Sequence, residues 1–324
     1  MEGKRLRASS EGPAVCLGRS RGELRMMNPS SRSTRVAPAG LAGLRPLLSE
    51  LLDLKRVRTP DHPQGLSAQG FRRAWAALAA GVEPIRVALR ETALALAAVR
   101  LGGMDAAVLH RAGLSSEAAT NVLRRSLEAA AIPLDPRLRE RLHAALAEPF
   151  GTEDASPPAF VEKLVRQPRA GATSPHGPRI LMEPLESHAD HCYAVAISAV
   201  LMAPLMEADP MLPFVAGLSH HLFSAELPDA GFAGEVLLGE ELAPIVKRLT
   251  ERALDCLDAA PAARVKASHG LLTHAETPEA QAFHARGCPR SGAGDGLPRP
   301  GRELHPRTGA GGSGAGARGA SSGI

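Results

Sequence analysis

The sequence has few aromatic residues, few cysteines and no long apolar run. Phe, Trp and Tyr make up 3% of its 324 residues. Nucleic-acid modules that stack bases on aromatic side chains are therefore not expected. None of the four cysteines forms a C-x-x-C pair with another. Their spacing argues against a thiolate zinc site and against a disulfide framework.

The sequence also shows no pattern typical of a membrane-spanning helix or of a signal peptide. The longest mostly apolar run covers 192–206 and contains a proline. It is shorter than the ~20 residues that a spanning helix needs. The N-terminal stretch MEGKRLRASSEG lacks the apolar segment of a signal peptide. We therefore expect a cytoplasmic protein with reduced thiols and no membrane partner.

The positive net charge of +4 comes from the two ends of the chain. Residues 1–35 carry eight Lys and Arg against three acids, and residues 286–324 carry six Arg against two acids. The segment between them, 36–285, therefore has a net charge of −5. A mildly acidic central part argues against reading the charge as a nucleic-acid footprint.

Changes in composition divide the chain into five segments. Residues 1–35 have no apolar period and predict a disordered N-terminal extension. Residues 36–150 predict an all-helical region of about five helices, and 151–178 a linker with one short helix. Helical periodicity resumes over 179–285. Residues 286–324 hold twelve of the 32 glycines and predict a disordered tail.

The apolar periodicity and the capping residues predict an all-α fold. Leucines in LRPLLSELLDLKRV (44–57) recur along one helical face. Ser115 precedes a further amphipathic segment and is a plausible N-cap. In DPRLRERLHAALAEPF (135–150), Asp135 is expected to cap a helix and Pro136 to take its first position.

Histidines concentrate in two clusters of the second helical region. His188 and His191 are three residues apart, so both can project from one helical face. His220 and His221 are adjacent, so they point about 100° apart on a helix, and one of them can face the same interior. Neutral imidazoles with a carboxylate suit a divalent metal ion.

The residues around these histidines resemble the HD-domain phosphohydrolase superfamily. In that family a first His begins a helix within a pattern like A-E-H-S-x-x-V-A, and ADHCYAVA places His191 there. An apolar stretch then ends in a His-Asp pair, which here reads His220-His221. Several nucleotidase-like members carry an Asp nine residues after the second His, and Asp229 in LPD fits that place.

The resemblance implies a metal-dependent phosphohydrolase in an HD-like helical domain over 179–285. His191, His220 and His221 would hold a divalent metal ion, with Mn, Fe, Zn, Co and Ni not distinguished. Asp229 would be the catalytic residue that orients water or substrate. The substrate would be a small phosphate ester such as a nucleotide.

The pattern departs from the family at its last ligand, an Asp on a later helix. The approach to such a helix, THAETPEAQAFHA, is followed at Arg286 by Gly/Arg/Pro-rich sequence, and the later Asp295 lies among glycines. We hypothesise a frameshift or truncation after about residue 285, because the helical pattern ends in mid-element. Met26 and Met27 suggest that the natural start lies there, within the first segment.

Several alternatives stay open from the sequence. His188 and His191 could simply begin a helix, and His221 could be an ordinary surface histidine. Asp229 follows a proline and could be a turn or N-cap residue. The whole domain could be a catalytically degenerate binding or signalling module. The oligomeric state is not determined by these patterns.

Overall fold

The computed structural model describes residues 38–148, 155–174, 177–180, 185–273 and 276–285. These residues form fourteen α-helices and a single two-stranded antiparallel ribbon, which confirms the predicted all-α fold. The predicted disorder of 1–35 and 286–324, the frameshift hypothesis and Asp295 lie outside the described residues.

The first helical region contains six helices within the described residues, one more than expected. Side-chain oxygens of Ser115 and Asp135 accept hydrogen bonds from backbone amides of the helices that follow them, as predicted. The unexpected helix is a single short one, which Asp105 caps through the amide of Val108. The six are α1 (Pro38–Leu52), α2 (Leu66–Ala79), α3 (Pro84–Leu101), α4 (Ala106–Arg111), α5 (Ser116–Ala130) and α6 (Pro136–Ala147).

The rest of the chain contains eight helices and the ribbon within its described residues. The short helix predicted inside 151–178 is present as α7. The ribbon was not predicted, and its register pairs Ala172 with Ile180 and Ser174 with Gly177. The elements are α7 (Ala159–Arg166), β1 (Ala172–Ser174), β2 (Gly177–Ile180), α8 (His188–Met202), α9 (Met211–Ser219), α10 (Gly231–Leu238), α11 (Leu242–Leu254), α12 (Ala259–Ser268), α13 (Gly270–Thr273) and α14 (Pro278–His284).

Helix α8 runs through the centre of the packed helices. It contacts α2, α3, α7, α9 and α14, and nearly all of its residues are buried. With the 3₁₀ turn that follows it, the segment His188–Met206 is long and apolar enough to cross a membrane, the only such segment among the described residues. However, 83% of its most apolar window is buried inside the fold, and core helices pass the same test.

One hydrophobic core joins the two predicted helical regions. It runs from Leu44 in α1 to Ala282 in α14. Trp75 of α2 lies edge-on to Phe160 of α7, with ring centroids 4.9 Å apart. The short helix of the predicted linker is therefore packed into the core, where it helps to fix the chain that enters α8.

Candidate metal centre

The start of α8 fixes the position of two histidines. Ser187 accepts a hydrogen bond from the amide of Asp190, and the Asp190 carboxylate accepts from the amide and hydroxyl of Ser187. This reciprocal capping box defines where the helix begins. His188 and His191 therefore occupy its first turn, one behind the other on the same face. Both are buried.

The end of α9 brings the second pair of histidines to the same place. Helix α9 ends at Ser219, so His220 and His221 leave it as the chain turns into the 3₁₀ turn Leu222–Ala225. Helices α8 and α9 pack closely because Gly217 lies against Ala196. A Cβ atom at Gly217 would lie 2.5 Å from the Cα of Ala196. This close approach sets the distance between the two histidine pairs.

Three of the histidines form a group that could hold a metal ion. Ligand nitrogens of His191, His220 and His221 lie within 4.8 Å of one another. The structure therefore brings together the three histidines that the sequence singled out, in a group that could hold a metal ion, and metal binding itself stays a prediction. His188 adds a fourth ring, with its centroid 4.9 Å from that of His221. The sequence left its role open.

The tautomer of His220 suits metal binding. Its Nδ1 lies 2.8 Å from the backbone oxygen of Gly217. A carbonyl oxygen can only accept, so Nδ1 carries the proton and Nε2 carries the lone pair. Metal-ligating histidines usually donate their second nitrogen to such a partner. Phe283 of α14 packs edge-on against the same ring, with centroids 5.7 Å apart.

His191 lies beside an arginine and a buried carboxylate. Nη1 of Arg169 is 2.5 Å from Nδ1 of His191, and because a guanidinium can only donate, this nitrogen accepts. Oε2 of Glu186 lies 4.0 Å from the same nitrogen, and Lys55 donates to Oε1 over 2.8 Å. If Nε2 bound a metal ion, the proton would move to Nδ1, where Glu186 could act as the outer carboxylate.

Asp229 lies at the edge of the cluster, next to His188. Its Oδ2 is 3.7 Å from Nε2 of His188. Its two oxygens accept from the backbone amides of Ala170, over 2.9 Å, and Gly231, over 2.8 Å. The carboxylate is thus held rigidly by backbone and is outside the three-histidine group. Its catalytic role stays a prediction.

Burial keeps His188 neutral near pH 7. It is 1% exposed, and this burial lowers its pKa to about 4. The Asp229 carboxylate works in the opposite direction, and the Arg169 guanidinium adds to the lowering. A neutral imidazole retains a lone pair, so His188 is available to the cluster as a hydrogen-bond acceptor or a further ligand.

The sequence reasoning missed Arg169 and Glu186. Both reach the site because the chain before β1 pairs with the chain before α8. The amide of Arg169 donates to the oxygen of Glu186 over 2.8 Å, and that of His188 donates to the oxygen of Gln167 over 3.0 Å. For Arg169 the sequence offered only the polar stretch RQPR at 166–169, which is too short to indicate a site, and for Glu186 it offered no signal.

Comparison of the chain with protein-family models, with curated proteins and with solved structures gives no match. The resemblance to HD-domain phosphohydrolases therefore stays a prediction. A function for the chain has to be inferred from the geometry of the histidine cluster and from the charges around it.

Proposed function

We propose that this protein is a metal-dependent hydrolase of phosphate esters. The observation that carries the proposal is the group formed by His191, His220 and His221. Three protein nitrogens around one ion are typical of catalytic rather than structural zinc sites, because a fourth position stays open. When bound, a divalent ion would supply Lewis-acid activation of water and of a phosphoryl oxygen.

The charges around the cluster favour an anionic substrate. The three proposed ligands are neutral imidazoles, so no ligand charge offsets a divalent cation. Arg169 adds a positive charge beside His191, while Glu186 is shared between Arg169, at 3.7 Å, and Lys55. Arginine binds phosphate oxygens through paired hydrogen bonds. We assign Arg169 to the substrate phosphate and Glu186 to the orientation of His191.

Asp229 and His188 would act together at the edge of this site. The backbone amides of Ala170 and Gly231 fix the carboxylate, and the carboxylate in turn faces Nε2 of His188. In this arrangement Asp229 orients His188 and stabilises a proton that His188 accepts during hydrolysis. Removing the carboxylate would lower kcat more than it raises KM.

Metal content is the first test. The full chain, purified without a polyhistidine tag, is expected to hold about one equivalent of a transition metal after incubation with Mn, Fe, Co, Ni or Zn. The variants His191→Asn, His220→Asn and His221→Asn should each lose metal while remaining helical by circular dichroism. His110→Asn is the matched control, because His110 is exposed in α4. An empty wild-type chain, or metal retained in all three variants, would overturn the site.

Turnover is the second test. The metal-loaded chain should release 4-nitrophenol from a 4-nitrophenyl phosphate monoester or diester. The activity should disappear on chelation and return with the metal. Loss of metal in the three variants should remove it as well.

A second candidate, a metal-binding module without turnover, has two observations in its favour. Both oxygens of Asp229 are engaged by backbone amides, and a histidine stands where the resemblance would place the second residue of a His-Asp pair. A chain that holds metal in the wild type, loses it in the three variants and releases no 4-nitrophenol would support this candidate instead.

A further inference from the structure

A second site is separate from the histidine cluster. A cavity of about 190 Å³ lies between α2, α3 and the segment that joins α3 to α5. Protein interiors leave few spaces larger than a water molecule. This volume is slightly larger than the roughly 150 Å³ of an engineered apolar cavity that binds benzene. It is therefore large enough for a small organic molecule.

The cavity exists because two helical faces meet with small and branched residues between them. Arg73 lies one and two turns beyond Gln69 and Leu66 on α2, and Leu94 and Ala98 follow one another at one-turn spacing on α3. Leucines and alanines make up half of the residues that line the wall. An apolar wall of this kind selects a ligand with a hydrocarbon body.

Two polar residues of the cavity lining, Arg73 and Tyr193, bind the buried carboxylate of Glu91, which lies behind the cavity wall. The Glu91 carboxylate is 1% exposed and accepts from Arg73, over 2.9 Å from Nη2 and 3.2 Å from Nε. The Tyr193 hydroxyl donates to the same carboxylate over 3.1 Å. Burial, together with the Glu91 charge, raises the pKa of Tyr193, so its hydroxyl stays protonated as a donor.

Arg73 has donors left for a ligand. Glu91 engages Nε and Nη2 and leaves Nη1, while the Tyr193 hydroxyl also interacts with this guanidinium. The side chain is 38% exposed, although its carboxylate partner is buried. Among the residues that line the cavity, Arg73 and Arg90 are basic and Asp105, which caps α4, is acidic. The lining therefore favours a negative charge.

The turn after α3 contributes an exposed residue to the cavity lining. Met104 lines the cavity and is 47% exposed. Methionine side chains are flexible and adapt to varied apolar partners. Gly102, with φ +58°, makes the turn that places Met104 there.

We propose that this cavity binds a small organic acid, with its hydrocarbon body against the leucine and alanine wall and its carboxylate accepting from Nη1 of Arg73. The site is independent of the metal centre. Tyr193, in the cavity, and His191, in the cluster, are two residues apart on α8 and point to different faces of the helix.

Calorimetric titration of the full chain with benzoate, and with benzamide as its uncharged counterpart, tests the proposal. Benzoate should bind and raise the midpoint of thermal unfolding. Benzamide should bind at least about tenfold more weakly than benzoate, since a charged hydrogen bond is lost. Ala98→Leu should fill the cavity, remove benzoate binding and keep the metal content. Ala42→Leu, an exposed change in α1, is the matched control and should bind benzoate normally.

The role of Arg73 is tested in a double variant that does not leave the Glu91 carboxylate without its partner. Arg73→Gln with Glu91→Gln removes both charges together, so no carboxylate is left buried without a partner. This double variant should lose the preference for benzoate over benzamide. Absence of benzoate binding to the wild type at millimolar concentrations would overturn the proposal. So would binding that survives Ala98→Leu, or equal binding of benzoate and benzamide by the wild type.

Discussion

The position of a single proton on His220 connects the backbone to the proposed chemistry. The carbonyl of Gly217 holds that proton on Nδ1, which leaves Nε2 as the ligand atom. His191 has the opposite arrangement, because Arg169 donates to its Nδ1. Only one of the two rings is therefore in the tautomer that Nε2 ligation needs. Metal binding at the other has to move Arg169.

We predict that Arg169→Gln separates metal binding from substrate binding. Removing the guanidinium takes a positive charge away from the site and allows Nδ1 of His191 to carry a proton. Metal affinity should rise, while phosphate affinity should fall by about tenfold or more, since charged hydrogen bonds are lost. Metal titration and inhibition by inorganic phosphate measure the two effects.

The control for this variant is Arg166→Gln, a nearby exposed arginine at the end of α7. It should change neither quantity. A parallel loss of metal and phosphate affinity in Arg169→Gln would mean that the guanidinium is structural, and it would contradict its assignment to the substrate.

Because His188 is buried as a neutral imidazole, we predict that the free energy of unfolding falls in acid. The unfolded chain protonates His188 near its ordinary pKa of about 6.5, whereas the folded chain does so only near 4. Between these values the unfolded state binds more protons, so the free energy of unfolding falls as the pH falls. His269 has a pKa lowered by burial as well and acts in the same direction.

For His188 the expected loss is about 3 kcal/mol between pH 6.5 and pH 4. Urea unfolding of the metal-free protein at a series of pH values measures it. The variant His188→Gln should have a flatter profile over the same interval. An unchanged slope in that variant would contradict the assignment.

The histidines could be predicted from sequence, but their partners could not. His188 and His191 have helical spacing, and the pair His220-His221 ends an apolar stretch, so both belong to local patterns. Arg169 and Glu186 are brought to the cluster by pairing between two extended segments, which leaves no periodicity. Non-local contacts of this kind arise only when the chain has folded.

At the scale of elements, the close packing of α8 on α9 brings the two histidine pairs together. Gly217 serves twice: it lacks the Cβ that would meet Ala196, and its carbonyl holds the His220 proton. The site therefore depends on a helix–helix distance that only glycine permits. A larger residue would separate the helices before it affected either one.

We predict that Gly217→Ala destabilises the protein and weakens metal binding. The added Cβ would lie 2.7 Å from the backbone nitrogen of Ala196, so the helices must move apart. Overpacking of this kind costs about 1–3 kcal/mol. Thermal unfolding and metal titration check both effects.

Gly43→Ala is the matched control in the interior of α1. A Cβ there would meet no atom within 4 Å. Since alanine is the better helix former, this variant should be stabilised by about 0.5–1 kcal/mol. If both substitutions had the same effect, close packing at Gly217 would not be the cause.

Helix ends were more predictable than the ribbon. The cap at Asp135 followed by Pro136 was confirmed, because N-cap and first-position preferences are local and strong. Helix α4 was missed because six residues are too few to show a period. Strands β1 and β2, of three and four residues, are shorter than the runs that an alternating pattern needs.

At the scale of the whole molecule, all the described helices except α10 and α13 contribute to one core. Composition suggested two helical regions with a linker between them, yet α2 and α3 pack directly on α8, and α7 of the linker packs on Trp75. Composition reports where polar and flexible residues lie along the chain. It does not report which apolar faces meet in space, so the shared core could not be foreseen.

A shared core predicts one cooperative unfolding transition for residues on both sides of the linker. Leu96 of α3 is fully buried in that core. The variant Leu96→Ala should lose about 2–5 kcal/mol, because a cavity replaces the side chain. In a calorimetric scan of the metal-free protein, the whole transition should move to lower temperature as one peak. Its calorimetric and van't Hoff enthalpies should agree.

If the two regions folded separately, the scan would show two peaks. Leu96→Ala would shift only the peak of the first region, and the peak of the region that contains the histidine cluster would stay at its original temperature. Because the histidine pairs lie at the start of α8 and directly after α9, two helices of this core, metal added to the wild type should raise the midpoint of the whole transition.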